Sequence, residues 1–591
     1  MPPSTHRGNR EKVVAQASSL CGFELPSSIL RRCAGRLDAA RDPRFAHPVF
    51  IVLRLIRAAL TTRGVRQGRL KIGRPFAGNG TPASASRLRR RIVGWLLIGA
   101  CVAVRAGAID VDTPAGRWQA GGYAEGLGVV KTDADSPGQR PEGVLDLTVT
   151  GDPHRRVRTH LETQMLFGGP PKNTDGFGAF NFRDVFQNRS PSLEFEEGYV
   201  EVSLPRADVR AGLQKFAWGR LDTFHPTDVL NPREYHDPFL TNETESKIGL
   251  PSLSASLYPP EPSWADIATP AFAIIWVPVP VPFRFPLQDE RWFPPAASVP
   301  PVLDIPAGTL RPGLPGAVIH TDFSTANAGA GQRLENGAVG ARLSGLSHGV
   351  DWSLSFYDGR ETAPAFALQT AVRLATPSAG TGALPLDATA VLQPRFGRIW
   401  MTGADAAFQL AGVTARAEAV YGSGRLVPRS TAELLGLDNI VRVVGPSADT
   451  ILAQLLAGQT VPIDLGNLFE RRDVIEWGLG ADYPYQGWTP VLQVNQSVVL
   501  NNDVTLLVPN VDTRLFGALR KAFLSDRLAT EIIAVQGLER SYTLAIARAT
   551  YALTDWLRVR LGYLAIGGSR NTVLGEYKRN DEVFFEVRLS Q

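Results

Sequence analysis

The chain has 591 residues, of which 44% are hydrophobic and 20% charged, with 57 Gly and 44 Pro. This composition excludes a polytopic helical membrane protein, which needs far more apolar residues, and a highly charged disordered chain; the length fits several average domains or one large closed barrel. The net charge of +5 hides a split, since residues 1–108 hold 20 Lys+Arg against 4 Asp+Glu and the remainder 42 against 53, so the basic excess does not indicate a nucleic-acid partner.

Residues 1–86 are rich in Arg, Pro, Ala and Ser without sustained periodicity, and read as a disordered extension or the product of a start site placed too far upstream. Residues 87–108 read as a signal peptide. Arg87-Leu88-Arg89-Arg90-Arg91 is a positive n-region, Ile92–Val104 an apolar h-region, and Ala106-Gly107-Ala108 supplies small residues for cleavage before Ile109. The apolar run is too short to span a bilayer, which takes ~20 residues. Ile98-Gly99-Ala100-Cys101 is a competing, loose lipobox. Cys21, Cys33 and Cys101 all precede the cleavage point. A Cys-free mature chain suits export without a disulfide framework, although Cys-poor cytosolic enzymes share the trait.

From Ile109 the dominant period is two. In 156–167, Val157, Thr159, Leu161, Thr163, Met165 and Phe167 take one face, and Arg158, His160, Glu162 and Gln164 the other. Similar alternation recurs at 475–483, 492–498, 557–563 and 583–589. Arg and Glu on an inward face would be ruinous in a dry sandwich core. They suit a water-filled lumen whose outer wall is apolar against lipid. The candidate pore-lining residues are therefore Arg158, His160, Glu162, Arg416, Glu418, Arg558, Arg560, Glu586 and Arg588.

Strands are expected near 117–130, 142–151, 155–167, 193–204, 208–218, 332–346, 350–358, 394–410, 413–421, 473–483, 490–500, 512–523, 527–536, 541–553, 556–566 and 580–590. Short turns alternate with mostly longer connections. The expected fold over 109–591 is all-β: a closed antiparallel transmembrane β-barrel of about 16 strands (14–18, since 359–393 has room for a hairpin), with one short helix near Asp449–Leu456. Lipid offers the backbone no hydrogen-bond partner, so a spanning sheet must close. Trp118, Tyr199, Trp352, Trp400, Tyr483, Trp488, Tyr551 and Trp556 are candidates for interfacial girdles, or ordinary strand aromatics.

One stretch differs: GLQKFAWGRLD (Gly212–Asp222) followed by PTDVLNPREY (Pro226–Tyr235). With LEFEEGYVEVSLP (Leu193–Pro205) and PLQDERWFP (Pro286–Pro294), it resembles a poorly characterised family of bacterial outer-membrane, porin-like β-barrels carrying a W-G-R-x-D…P-T-D-V-x-N-P signature. The likeness covers about residues 193–295 and implies a channel-like outer-membrane protein, without a substrate. Trp218, Gly219, Arg220, Asp222 and Asp228 are candidates for a constriction or a loop anchor. Gly219 permits a tight bend, and the Asp and Pro residues set turns. The segment opens a long connection, 219–331, Pro-rich from Pro259 to Pro315, expected outside the barrel or in its lumen. Within it Val277–Pro282 reads VPVPVP, a semi-rigid apolar piece between Trp276 and Phe283 that could narrow the pore, greet hydrophobic solutes or form a lid.

No catalytic constellation stands out. His154, His160, His225, His236, His320 and His348 form no metal-ligand pair of the H-E-x-x-H kind, and no nucleophile elbow or phosphate loop is present. No cofactor or metal is expected. Only Ile109–Gly116 stand before the first expected strand, too little for the plug of a siderophore-type transporter. The reading is an outer-membrane channel of a Gram-negative-type bacterium for passive passage of small solutes, hydrophobic ones included. Its expected partners are outer-membrane lipid, the barrel assembly machinery and the solutes, with no nucleic acid. The alternative is a non-channel β protein, a surface-binding or hydrolytic barrel or a periplasmic sandwich. The chain ends in Leu589-Ser590-Gln591, not in the aromatic residue such barrels usually present for assembly.

Overall fold

The computed structural model describes residues 109–591 except 115, 134–141, 169–191, 236–237, 241–245, 282, 287–290, 295–298, 327–332, 376–382, 430, 503–505, 570–571, 573 and 591. The N-terminal extension, the signal peptide with Ala106 and Ala108, the lipobox Cys101, His236 and part of the Pro286–Pro294 segment lie outside the described residues.

The strands, in chain order, are β1 (Ile109–Thr113), β2 (Gly116–Gly121), β3 (Tyr123–Lys131), β4 (Glu142–His154), β5 (Val157–Gly168), β6 (Ser192–Leu204), β7 (Ala207–Gln214), β8 (Leu250–Leu257), β9 (Ala268–Val277), β10 (Val302–Ile305), β11 (Ala317–Thr325), β12 (Ala338–Ser347) and β13 (Val350–Arg360). They continue with β14 (Ala365–Leu374), β15 (Leu384–Arg395), β16 (Arg398–Leu410), β17 (Val413–Pro428), β18 (Val461–Ile463), β19 (Phe469–Asp482), β20 (Trp488–Val499), β21 (Val511–Phe523), β22 (Leu528–Gly537), β23 (Tyr542–Ala552), β24 (Leu557–Gly568) and β25 (Glu582–Ser590).

Eighteen of these form one closed antiparallel barrel: β3 to β9, β12, β13, β16, β17 and β19 to β25, with β25 pairing back onto β3 from Glu582↔Lys131 to Ser590↔Tyr123. Closure leaves the barrel wall without a free edge. β2 prolongs β3, both pairing with β4, and the break between them is Gly122 at φ 152°, where a Cβ would lie 2.2 Å from the Asp146 carbonyl oxygen. β1 folds back on β2. Short turns gather at one end and long connections at the other, as the alternation of gap lengths predicts. Two of the two-residue turns, His348-Gly349 and Ala411-Gly412, have positive φ throughout. That is the type I′ geometry whose twist matches paired strands.

The barrel has two more strands than the sequence reading assigned. The expected connection 219–331 contains β8 and β9, which are wall strands. Their alternation is weak because β8 turns Ser252 and Ser254 inward and β9 begins on Ala and Pro, so contrast between the faces is low. The 359–393 gap does hide a hairpin, β14–β15, but it belongs to a second sheet. The expected strand 208–218 ends at Gln214, where the chain leaves the wall.

The second sheet has the order β10-β11-β15-β14-β18, with β11 and β15 parallel. Three long connections build it: 278–337, 361–397 and 429–468. The last also carries α1 (Thr431–Leu434), α2 (Leu437–Val444) and α3 (Ala448–Leu456), of which only α3 was expected. Leu368, Leu386, Leu392, Ile440, Leu455 and Val461 join in its core, so the three connections form one cap at the long-connection end. Among the described residues no helix is long and apolar enough to cross a membrane.

Barrel faces follow the alternation. Leu253, Ile274, Leu354, Phe356, Leu479, Leu492, Ile532, Leu561 and Phe585 are exposed on the outside, whereas Ser353, Asp405, Gln493, Asn495, Glu582 and Glu586 are buried inside. Tyr483, Trp488, Tyr551 and Trp556 are exposed at the short-turn end with Tyr485 and Phe523, and Trp400 is exposed toward the other end. Tyr199 departs from the girdle expectation. It stacks on His160 at 5.2 Å and lies under the Arg210 guanidinium at 5.2 Å, because it shares the inward parity of Glu197 and Glu201. Trp118 and Trp352 are half-buried.

Candidate functional site

Gln214 and Leu250 are the last paired residues of the β7–β8 ladder, and the described residues between them fold inward. The loop first builds itself. Asn231 accepts the Phe216 N–H at 2.7 Å and donates to the Ile248 carbonyl at 2.8 Å, tying the loop's two legs together. Asp228 accepts the Trp218 N–H at 3.3 Å and pairs with Arg233 at 2.8 Å and Lys247 at 2.7 Å. Of the motif residues, Asp228 is thus an internal anchor with its carboxylate out of solvent.

The wall then receives the loop. Glu418 on β17 accepts the N–H groups of Arg220, of Leu221 at 2.7 Å and of Thr227 at 3.3 Å, together with the Thr227 hydroxyl at 2.8 Å; His225 Nδ1 lies at 3.4 Å. The bend that aims these groups at one carboxylate centres on Gly219, at φ 90°, where a Cβ would stand 2.7 Å from Glu418 Oε1. Arg220 grips Asp351 through both terminal nitrogens, at 2.6 and 2.7 Å, and Asp405 through Nε at 2.5 Å. The bidentate fork fixes orientation as well as distance. Asp405 also bonds Arg342 and the Ser353 hydroxyl. Asp222 pairs with Arg416 at 3.0 Å and faces Arg520 at 3.7 Å. Gln493 accepts the N–H groups of Asp222 at 3.1 Å and Thr223 at 3.3 Å, and Asn495 donates to the Phe224 carbonyl at 3.0 Å.

Inward-facing glycines make room for this seat. A Cβ on Gly340 would meet Leu230 and Trp218, each at 3.1 Å, and one on Gly478 would lie 2.6 Å from the Leu221 methyl. Asp351 stands just past the short turn at 348–349, and Asp482, the other partner of Arg416, is the last residue of β19 before another. The loop therefore starts at the cap side and reaches the short-turn third of the lumen along the wall from β12 to β21.

The candidate pore-lining residues divide. Glu418 does not face open lumen: its side chain is 0% exposed beneath the loop. Arg416 supports the loop through Asp222. Arg560 pairs with Glu586 at 2.7 Å, and Arg588 with Glu125 at 3.4 Å. Arg158 pairs with Asp152 at 3.1 Å and Arg558 is exposed, both close to short turns. His160, Glu162 and Glu197 bring one ligand atom each within 4.8 Å of one another. Lys215 already serves this acidic group, with its Nζ 2.9 Å from Glu196 and its N–H 2.8 Å from Glu197.

Sequence reasoning missed Asp351, Asp405 and Arg520. Gln493 and Asn495 carried a signal, their inward parity in the 492–498 alternation. It also missed two buried ion pairs that tie Arg284 and Arg291 to the wall. Arg284 binds Glu194 on β6 at 2.5 Å and Glu234 at 3.2 Å, and Arg291 binds Glu582 on β25 at 2.9 Å. Trp292 packs beside Arg291 against Phe239 and Tyr577. All four charged groups of Arg284–Glu194 and Arg291–Glu582 are nearly out of solvent.

No family model matches the chain and no curated protein matches it, so the motif resemblance acquires no family assignment. Among solved structures, Salmonella typhi OmpF in complex with daunomycin aligns with 82% of this chain and 100% of its own, at 10% identity and TM-score 0.36. The outer-membrane channel DcaP of Acinetobacter baumannii aligns with 81% of this chain and 99% of its own, at 8% identity and TM-score 0.34. At identities and scores this low, the fold rests on the chain's own strand pairing.

Proposed function

We propose that the chain is an outer-membrane channel through which small solutes pass passively, with the loop 215–249 as its constriction. The observation that carries this reading is the loop's position: a self-braced segment inside a closed barrel, bound to the wall by charge-assisted bonds at Arg220, Asp222 and Glu418. The exposed apolar outer wall suits lipid, and the charged inner wall suits water. Paired charges of both signs (Arg560–Glu586, Arg588–Glu125, Arg520–Glu531) give the lumen no single-sign ring, which fits a pore of modest ion preference. Partners on this reading are outer-membrane lipid, the barrel assembly machinery and small solutes, hydrophobic ones included. Export through the 87–108 signal peptide predicts an intact mass beginning at Ile109; a mass retaining residues 1–86, or a lipid on Cys101, rejects that processing.

Conductance in a planar bilayer tests the function. Discrete single-channel steps are expected from the refolded protein. Replacing residues 216–248 by a short glycine turn should enlarge them severalfold, because Gln214 and Leu250 are paired and the β7–β8 hairpin can close. A variant lacking 260–315 would not serve, since it loses β9 from the wall. Folded barrels that never conduct, with or without the loop, overturn the channel. Equal conductance from both overturns the constriction.

A further inference from the structure

The cap contains a cavity of about 130 Å3 between its sheet and its helices. The sheet side is lined by Ile305, Ile319, Leu386 and Ala388, the helix side by Ile440 and Leu455. Of all the lining side chains, only those of Thr321 and Thr370 carry a polar atom, and the Thr370 hydroxyl already donates to the Ile463 carbonyl at 2.5 Å. The cavity has a local cause. β11 and β15 present Ala317, Ala388 and Ala390 to it, and small side chains beneath helices leave unfilled the volume that Leu or Phe would take.

We infer that this cavity is a binding site for a small uncharged apolar molecule, of about the size of one aromatic ring. Three features specify the guest. The walls offer no free charge and almost no hydrogen-bonding group, so a polar guest would be desolvated without compensation. Apolar cavities of roughly 150 Å3 stay dry and accept benzene-sized guests. The site is also assembled from three connections distant in sequence, at 299–321, 370–390 and 435–465, so it exists only in the folded cap. Arg311 and Asp449, next to the lining residues Leu310 and Ala448, form an ion pair between the sheet-side loop and α3. The pair ties the two rims and leaves a polar outer surface over an apolar interior. The site lies in the cap, apart from the loop 215–249, so it stands whether or not the barrel conducts.

Thiol labelling tests it in the full chain with Cys21, Cys33 and Cys101 replaced by Ser. Residues 109–591 contain no Cys, so Ala388→Cys places one thiol at the cavity wall. Leu456→Cys, on the exposed end of α3, is the control for reagent and detergent effects. The refolded barrel is treated with N-phenylmaleimide or with a trimethylammonium methanethiosulfonate of similar size, with and without benzene, and labelling is followed by intact mass. The apolar reagent should outpace the cationic one at least tenfold at Ala388→Cys relative to the control. Saturating benzene should slow it severalfold there and not at Leu456→Cys. Adding Ile440→Trp, which fills the cavity, should abolish the benzene effect. Equal relative rates for the two reagents would mean a wet cleft, absence of benzene protection would mean no guest binds, and no labelling by either would mean a sealed core; each overturns the site. If Ala388→Cys fails to fold, the near-isosteric Thr321→Cys carries the same measurement.

Discussion

Glu418→Gln isolates what holds the inserted loop. The substitution preserves shape and leaves Oε1 able to accept the Arg220 and Leu221 N–H groups, but it removes the charge and turns an NH2 toward the Thr227 N–H and hydroxyl. Bonds to a charged group contribute about 1.5–3 kcal/mol each against about 0.5–1.5 for neutral ones, so the two surviving bonds lose about 1 kcal/mol each. The Thr227 N–H, left facing a donor, adds about 1–3 kcal/mol. The seated loop is therefore destabilised by about 3–5 kcal/mol. At ~1.4 kcal/mol per decade that shifts the balance between seated and released loop by at least roughly a hundredfold. Single-channel recording reads the shift as a rise in time spent at the larger conductance level, toward the level of the loop-replaced protein. Heat-modifiable gel migration should stay unchanged, since the wall's hydrogen bonds are untouched. Wild-type occupancy of conductance levels in a correctly folded Glu418→Gln protein would refute the argument that this carboxylate seats the loop.

Gly478→Leu should release the loop by a steric route, because its Cβ would lie 2.4 Å from Asn495 Nδ2 and 2.6 Å from the Leu221 methyl; Gly517→Ala, whose nearest neighbour is 3.7 Å away, should leave conductance unchanged. Asp222→Ala removes the partner shared by Arg416 and Arg520 and should shift the reversal potential in a KCl gradient toward anions, whereas Arg220→Ala uncovers Asp351 and Asp405 and should shift it toward cations. Shifts of the same sign, or none, would remove these residues from the ion path. Arg291→Ala takes away the guanidinium facing Glu582, and breaking a buried ion pair costs about 3–5 kcal/mol. The expected outcome is a lower temperature of heat-modification, and an unchanged one would show that this ion pair contributes nothing to stability.

The alternation of residues such as Ile475, Leu479 and Tyr483 against Glu476 and Asp482 already required a two-faced sheet, and charge on the inner face required that sheet to enclose water. Turn spacing placed the long connections at one end. These features are local, since parity and turn chemistry are written within a few residues. Strands β8 and β9 escaped because serine and alanine give little contrast between faces, and because the Pro-rich surroundings suggested one continuous loop. The motif Trp218–Asp228 was legible as something other than wall, but its role was not. Whether Arg220 meets Asp351 and Asp405, and whether Glu418 lines water or lies beneath a loop, depends on residues more than a hundred positions apart meeting across the lumen. The cap likewise needed three connections to meet before any of them had a core to bury. Pairing over such distances follows from barrel closure, which sets which inner faces meet, and no local periodicity records it.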